Sequence, residues 1–220
     1  MFDGELNELH TLVMEMAVLV ISQLDQSMKA IEDRDVRLAE SIILRDMEVD
    51  SHENKIDEAV FMMLANRSPV ADDLRRVMSV SKIVVDLELI GDEVVKIAKL
   101  IVSLFDNKST DPSHQLLRDI MKMGQNISEM LRQTIRSFDD CDIKGANSLV
   151  DERWNYGDEY QASIRLQLTF VIENPRIISR SLNIFQIMKS LERCGDHVYS
   201  IAEYLIFMFE GKDIRHQGME

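Results

Sequence analysis

Proline, glycine and cysteine are all scarce in this sequence. Three prolines and eight glycines in 220 residues leave few points at which a helix must stop. The two cysteines, Cys141 and Cys194, stand 53 positions apart with no CxxC spacing, which excludes a zinc knuckle and a disulfide framework and marks both as reduced thiols. Long apolar runs are also missing: Met16 to Ile21 and Tyr204 to Phe209 are far too short to span a bilayer. The opening MFDGELNELH lacks the basic and apolar regions of a signal peptide, so the expected location is the cytoplasm. No long basic run interrupts a formal net charge of -14, which sets nucleic acid aside as a partner and leaves basic protein faces and multivalent cations. Neither a phosphate-cradling glycine loop nor a serine or cysteine nucleophile constellation is present, so catalysis is not expected.

What is present is helix-forming. A content of 45% hydrophobic and 29% charged residues is that of a globular protein, rich in Leu, Glu, Met, Ala, Lys and Arg. The 14 methionines fit an adaptable helical core. Apolar residues recur at three and four, as in Ile178, Leu182, Phe185, Met188, Leu191, Val198, Ala202, Leu205 and Phe209. Each proline follows an N-cap residue, at Ser68-Pro69, Asp111-Pro112 and Asn174-Pro175, and is expected to open a helix. Gly211 is expected to cap the last one. The pattern predicts helices over 5–32, 35–66, 69–105, 113–139, 143–172 and 175–210, and no strand.

The chain repeats itself. A shift of 104 positions lays Ile83, Leu87, Glu88, Gly91, Asp92, Val94, Ile97 and Ala98 on Ile187, Leu191, Glu192, Gly195, Asp196, Val198, Ile201 and Ala202. Short turns favour antiparallel neighbours, so the expected fold is all-α, with two tandem up-down three-helix bundles over residues 1–108 and 109–220.

Acidic residues are arranged by helical spacing. Glu88 and Asp92 are four apart, as are Glu192 and Asp196, which places each like-charged pair on one face within about 6 Å between Cβ atoms. Asp46, Asp50, Glu53 and Asp57 form a stripe on the preceding helix. A face of this kind either points into water or takes a cation, and all-oxygen ligands suit a hard one. Gly91 and Gly195 each weaken their helix by about 1 kcal/mol relative to alanine, which close approach of a neighbouring helix or a metal ligand would offset. In the second half Asp151, Asn155 and Asp158 keep the stripe's spacing, but counting from Pro175 gives a different register. His52 and His197 stand beside these acids as polar neighbours rather than as paired ligands, while His10, His114 and His216 look terminal or loop-like.

The segments Asp86-Leu87-Glu88-Leu89-Ile90-Gly91-Asp92 and Ser190-Leu191-Glu192-Arg193-Cys194-Gly195-Asp196-His197 resemble the paired LERIGDH signatures of PhoU proteins. Asp73-Leu74-Arg75 is similar to the family's DLR element, and Glu210-Gly211-Lys212-Asp213-Ile214-Arg215-His216 to its EGKDVRH ending. Leu89 and Glu93 stand where the signature has Arg and His, and Cys194 where it has Ile. The resemblance implies a negative regulator of phosphate uptake and phosphate-starvation signalling. It also implies a homodimer that associates with the phosphate ABC transporter ATPase and a membrane sensor histidine kinase. Its ExxxD motifs, intact here, imply a bound metal ion (Fe, Mn, Zn or Mg) held by Glu88, Asp92, Glu192 and Asp196; by spacing, Asp46, Asp50, Glu53, Asp151 and Asp158 would join these sites if their helices face those acids. Two alternatives are a metal-free helical adaptor and a carboxylate-bridged di-iron protein. The latter wants Glu-x-x-His, which no histidine here provides.

Overall fold

A computed structural model describes residues 2–105, 114–151, 165 and 178–214. They form α1 (Phe2–Asp33), α2 (Val36–Leu44), α3 (Asp46–Arg67), α4 (Ala71–Phe105), α5 (His114–Asp139), α6 (described over 143–151) and α7 (Ile178–Glu210). No strand occurs among the described residues, as the pattern predicts.

Side chains and backbone close several of the described helix ends. Asp35 caps α2 by accepting the Leu38 N–H at 3.0 Å. Gly211, at φ +70°, ends α7 and donates its N–H to the Phe207 carbonyl at 2.9 Å, the cap its position suggests. Two expectations fail. The helix predicted over 35–66 is broken at Arg45, because the amide of Gln23, wholly buried in α1, donates to the Arg45 carbonyl at 3.2 Å and holds it out of line. Pro69 does not open α4: Ser68 ends α3 in the left-handed region at φ 45° and α4 starts two residues beyond the proline. Pro112 and Pro175 lie outside the described residues, as does the division between 108 and 109.

Four long helices form a closed ring, in which α1 packs on α4 and α5, and α7 packs on α5 and, most extensively, on α4. Helices α2 and α3 lie outside, against α1 and α4. One continuous core joins Leu9 and Met16 of α1, Ile83 and Ile90 of α4, Ile127 of α5, and Ile187 and Val198 of α7. The two repeats therefore share a core. Of the periodic residues of α7, Ile178 and Leu182 are exposed, while Asn183, one residue on, bonds Ser103 of α4 at 3.3 Å.

Helices α4 and α7 run antiparallel. Arg75 meets Met208 near one end, Asn183 meets Ser103 near the other, and Cys194 Sγ lies 4.0 Å from the Ile90 carbonyl in the middle. The α1–α5 pair is antiparallel too. His10 stacks on Phe138 at 4.8 Å while Asp25 accepts from Ser128 at 2.6 Å and from Arg132. His10 is thus a packed helical residue rather than a terminal one.

Candidate functional site

Val49 of α3 lies against Gly91 of α4, where a Cβ would come within 3.3 Å of Val49 Cγ1. The glycine is thus explained by the approach of a neighbouring helix, and that approach lays the acidic stripe of α3 on the acids of α4. Asp46, Asp50 and Glu53 face Glu88 and Asp92 closely enough to act on one another electrostatically. Burial first, then the charges of Asp92, Glu53, Asp50 and Asp46, push the Glu88 carboxyl up to about 7. Burial and neighbouring carboxylates likewise raise Asp46, by way of Asp50 and Asp92, and Glu53, by way of Asp57, Asp50 and Asp92. The cations nearby are few: Lys99 acts on Asp46, and Lys96 Nζ lies 3.7 Å from Asp92.

Among the described residues, no three His, Cys, Asp or Glu side chains close into a group that would hold a metal. The five carboxylates meet as an open acidic face. Its oxygen donors suit a hard cation such as Mg or Mn, and its excess of negative charge leaves room for one. Gathering those donors around an ion would require their side chains to turn inward.

The counterpart acids of the second repeat stand differently. Glu192 is half-buried and paired with Lys189, and Asp196 is exposed one turn on. Asp151 is exposed on α6, while Asp158, with Arg153, Asn155 and Gly157, lies outside the described residues. Two histidines make polar contacts: His52 bonds the Glu48 carbonyl at 2.8 Å and lies 3.7 Å from Glu15, and His197 Nδ1 bonds Asp86 Oδ1 at 2.7 Å. His216 lies outside the described residues.

Two buried acids, Asp86 and Glu93, escaped the reading by spacing. They are 8% and 4% exposed and flank Ile90 on the face of α4 that meets α7. Their separation of seven, with Ile90 between, is the signal that marks them as sharing a face. Glu93 Oε1 receives Lys96 at 3.1 Å and Arg193 at 3.2 Å, whereas its buried Oε2 has no hydrogen-bond partner. Burial pushes the Glu93 carboxyl up, but the Ser190 hydroxyl, Lys96 and Arg193 outweigh it and hold the group below the usual carboxylate range. Arg75 of the Asp73-Leu74-Arg75 element donates from Nε to the Met208 carbonyl at 3.2 Å, so that element meets the Glu210-Gly211 end of α7.

The family model described as the PhoU domain matches residues 13–101 and 120–205. The "Phosphate-specific transport system accessory protein PhoU homolog" of Pseudomonas aeruginosa is 35% identical over 218 residues, covering 99% of this chain and 89% of the relative. The Escherichia coli K12 protein "Phosphate-specific transport system accessory protein PhoU" is 34% identical, covering 99% and 88%. The crystal structure of PhoU from P. aeruginosa superposes with a TM-score of 0.89 at 33% identity, covering 96% of this chain and all of that one. A regulatory PhoU protein of the phosphate transport system from Streptococcus pneumoniae superposes at 0.87 with 25% identity, covering 97% and 99%. Two matched halves, a shared fold and near-complete coverage place this chain in the PhoU family.

Proposed function

We propose that this chain is an accessory protein of phosphate-specific transport, a non-catalytic regulator that restrains phosphate uptake and phosphate-starvation signalling by docking on the phosphate ABC transporter ATPase and a membrane sensor histidine kinase. The names of its relatives support the transport role. No helix among the described residues is long and apolar enough to cross a membrane, so contact with membrane components would be made from their exposed faces.

One observation carries the chemistry of the docking face: Val49 packs on Gly91, so that five carboxylates of α3 and α4 meet with few cations, and burial first, then their mutual charge, push the Glu88 carboxyl up to about 7. Such a face attracts either a hard metal ion or a basic protein surface. Asp46, Asp50, Glu53, Glu88 and Asp92 would hold the ion in the first repeat; Asp151, Asp158, Glu192 and Asp196 are the counterparts in the second. The ion would supply positive charge that lets the carboxylates stay ionised and bridges them to a partner.

The test is metal analysis by mass spectrometry and capture of the purified ATPase and kinase, using tag-free wild type and Glu88→Ala/Asp92→Ala, with circular dichroism to confirm folding. Metal and partner lost together in the variant is the expected result. Failure of wild type to capture either protein would overturn the docking role. The lysines at the face and its open geometry favour a second reading, a metal-free adaptor, which predicts capture without any bound metal.

A further inference from the structure

Helices α4 and α7 cross about a local two-fold axis. Ile90 and Cys194, which occupy the same position in the two repeats, meet there, with Sγ 4.0 Å from the carbonyl. At such an axis a residue four before the centre faces one three after it on the other helix, and the relation holds in both directions. Both contacts exist. Asp86 bonds His197, which is the counterpart of Glu93, at 2.7 Å, and Glu93 lies beside Ser190, which is the counterpart of Asp86. Arg193, the counterpart of Leu89, adds a charged bond to Glu93 at 3.2 Å.

The crossing is symmetric in backbone and asymmetric in charge. Both acids sit on α4 and are almost wholly buried, at 8% and 4% exposure, while α7 supplies the hydroxyl, the guanidinium and the imidazole. We infer that these residues form a pairing code, which joins the first repeat to the second and rejects pairing of like repeats between two copies of the chain.

Because the two repeats share a fold, like-with-like pairing is open to them sterically. An α4–α4 crossing on the same axis would set Asp86 against Glu93 on both sides. Each Glu93 would keep its own Lys96 but lose Arg193 and Ser190, and each Asp86 would lose His197. An α7–α7 crossing would set His197 against Ser190 and take from His197 its bond to Asp86; Arg193 is exposed, so the buried conflict lies in the α4–α4 pairing. Burying a charge without its partner is strongly unfavourable, and building such a conflict into the wrong pairing is how an interface gains specificity. Glu93 Oε2 already lacks a partner, so this carboxylate has no reserve of bonds to lose. A homodimer of whole chains must accordingly use another surface.

The test uses the full chain. Ile90→Cys combined with Cys141→Ser and Cys194→Ser leaves one thiol, placed on the axis of any α4–α4 crossing. After unfolding and refolding at high concentration under a mild oxidant, interchain disulfide is expected only at background. Adding Asp86→Ser and Glu93→His, which gives α4 the residues of α7 at these positions, is expected to raise the interchain product roughly tenfold or more. A companion chain with the same recoding, with Ile90→Cys and with Cys194 retained, must still form the intrachain bridge. If the double change prevents that bridge, Glu93→His alone decides by the same comparison. Equal interchain yield with and without recoding, while the intrachain bridge forms, would overturn the inference.

Discussion

Arg75 of α4 fills the space that a side chain on Gly211 would need: a Cβ there would lie 2.6 Å from Nη1. The guanidinium is held by the Met208 carbonyl at 3.2 Å and by Asp72 at 2.7 Å, so it covers the negative end of α7 from a neighbouring helix. Gly211 also needs its φ of +70° to turn the chain off that helix.

Gly211→Ala should lower the stability of the chain by about 1–2 kcal/mol, from left-handed strain and the displaced guanidinium together. Urea unfolding measures this, and an unchanged midpoint would mean that Arg75 gives way freely.

Arg75→Leu removes a charged donor from a helix-end carbonyl. A loss of about 1 kcal/mol is expected, with faster hydrogen exchange confined to the last turn of α7. Uniform acceleration along the whole ring would contradict a local capping role.

Glu88 governs a pH dependence whose sign follows from proton binding. Its carboxyl titrates at about 7 in the folded chain against the ordinary 4.5, so between these values the folded state holds more protons than the unfolded one. Stability therefore falls as pH rises through this window, by about 1 kcal/mol once screening by water is allowed for. Glu88→Gln should flatten the fall and be the more stable protein near pH 8. Unfolding midpoints of both proteins on either side of the window check it, and parallel curves would show that Glu88 does not carry the effect.

The contact between Gly91 and Val49 can be weighed by a double-mutant cycle. Val49→Ala opens space where Gly91→Ala would add a methyl, so the two changes together should cost less than their sum by about 0.5–1 kcal/mol. Strict additivity would mean that α3 shifts away from α4 when either residue changes.

Much of the fold was legible because it is local. The stripe of Asp46, Asp50 and Glu53 and the pair Glu88 and Asp92 follow from helical spacing, and the burial of Leu191, Val198 and Leu205 follows from the same period. The break at Arg45 was not legible, since its cause is an amide 22 positions earlier on another helix. Ser68 and Pro69 carry the residue types of a helix start, yet the chain spends them on a reversal between α3 and α4. The exposure of Ile178 and Leu182 depends on which neighbouring elements cover them, which no pattern within α7 contains.

By itself the sequence determined the all-helical class, the tandem repeat and the acidic faces, because periodicity, propensity and identity at a fixed shift are properties of neighbouring residues or of the chain compared with itself. Tertiary structure decided that the two repeats share one core and that Asp86 meets His197 across 111 positions. It also decided that Val49 brings α3 onto Gly91, so that the acids of two helices become one face. Those outcomes depend on which helix sides meet, and that is set by the packing of the whole apolar surface at once.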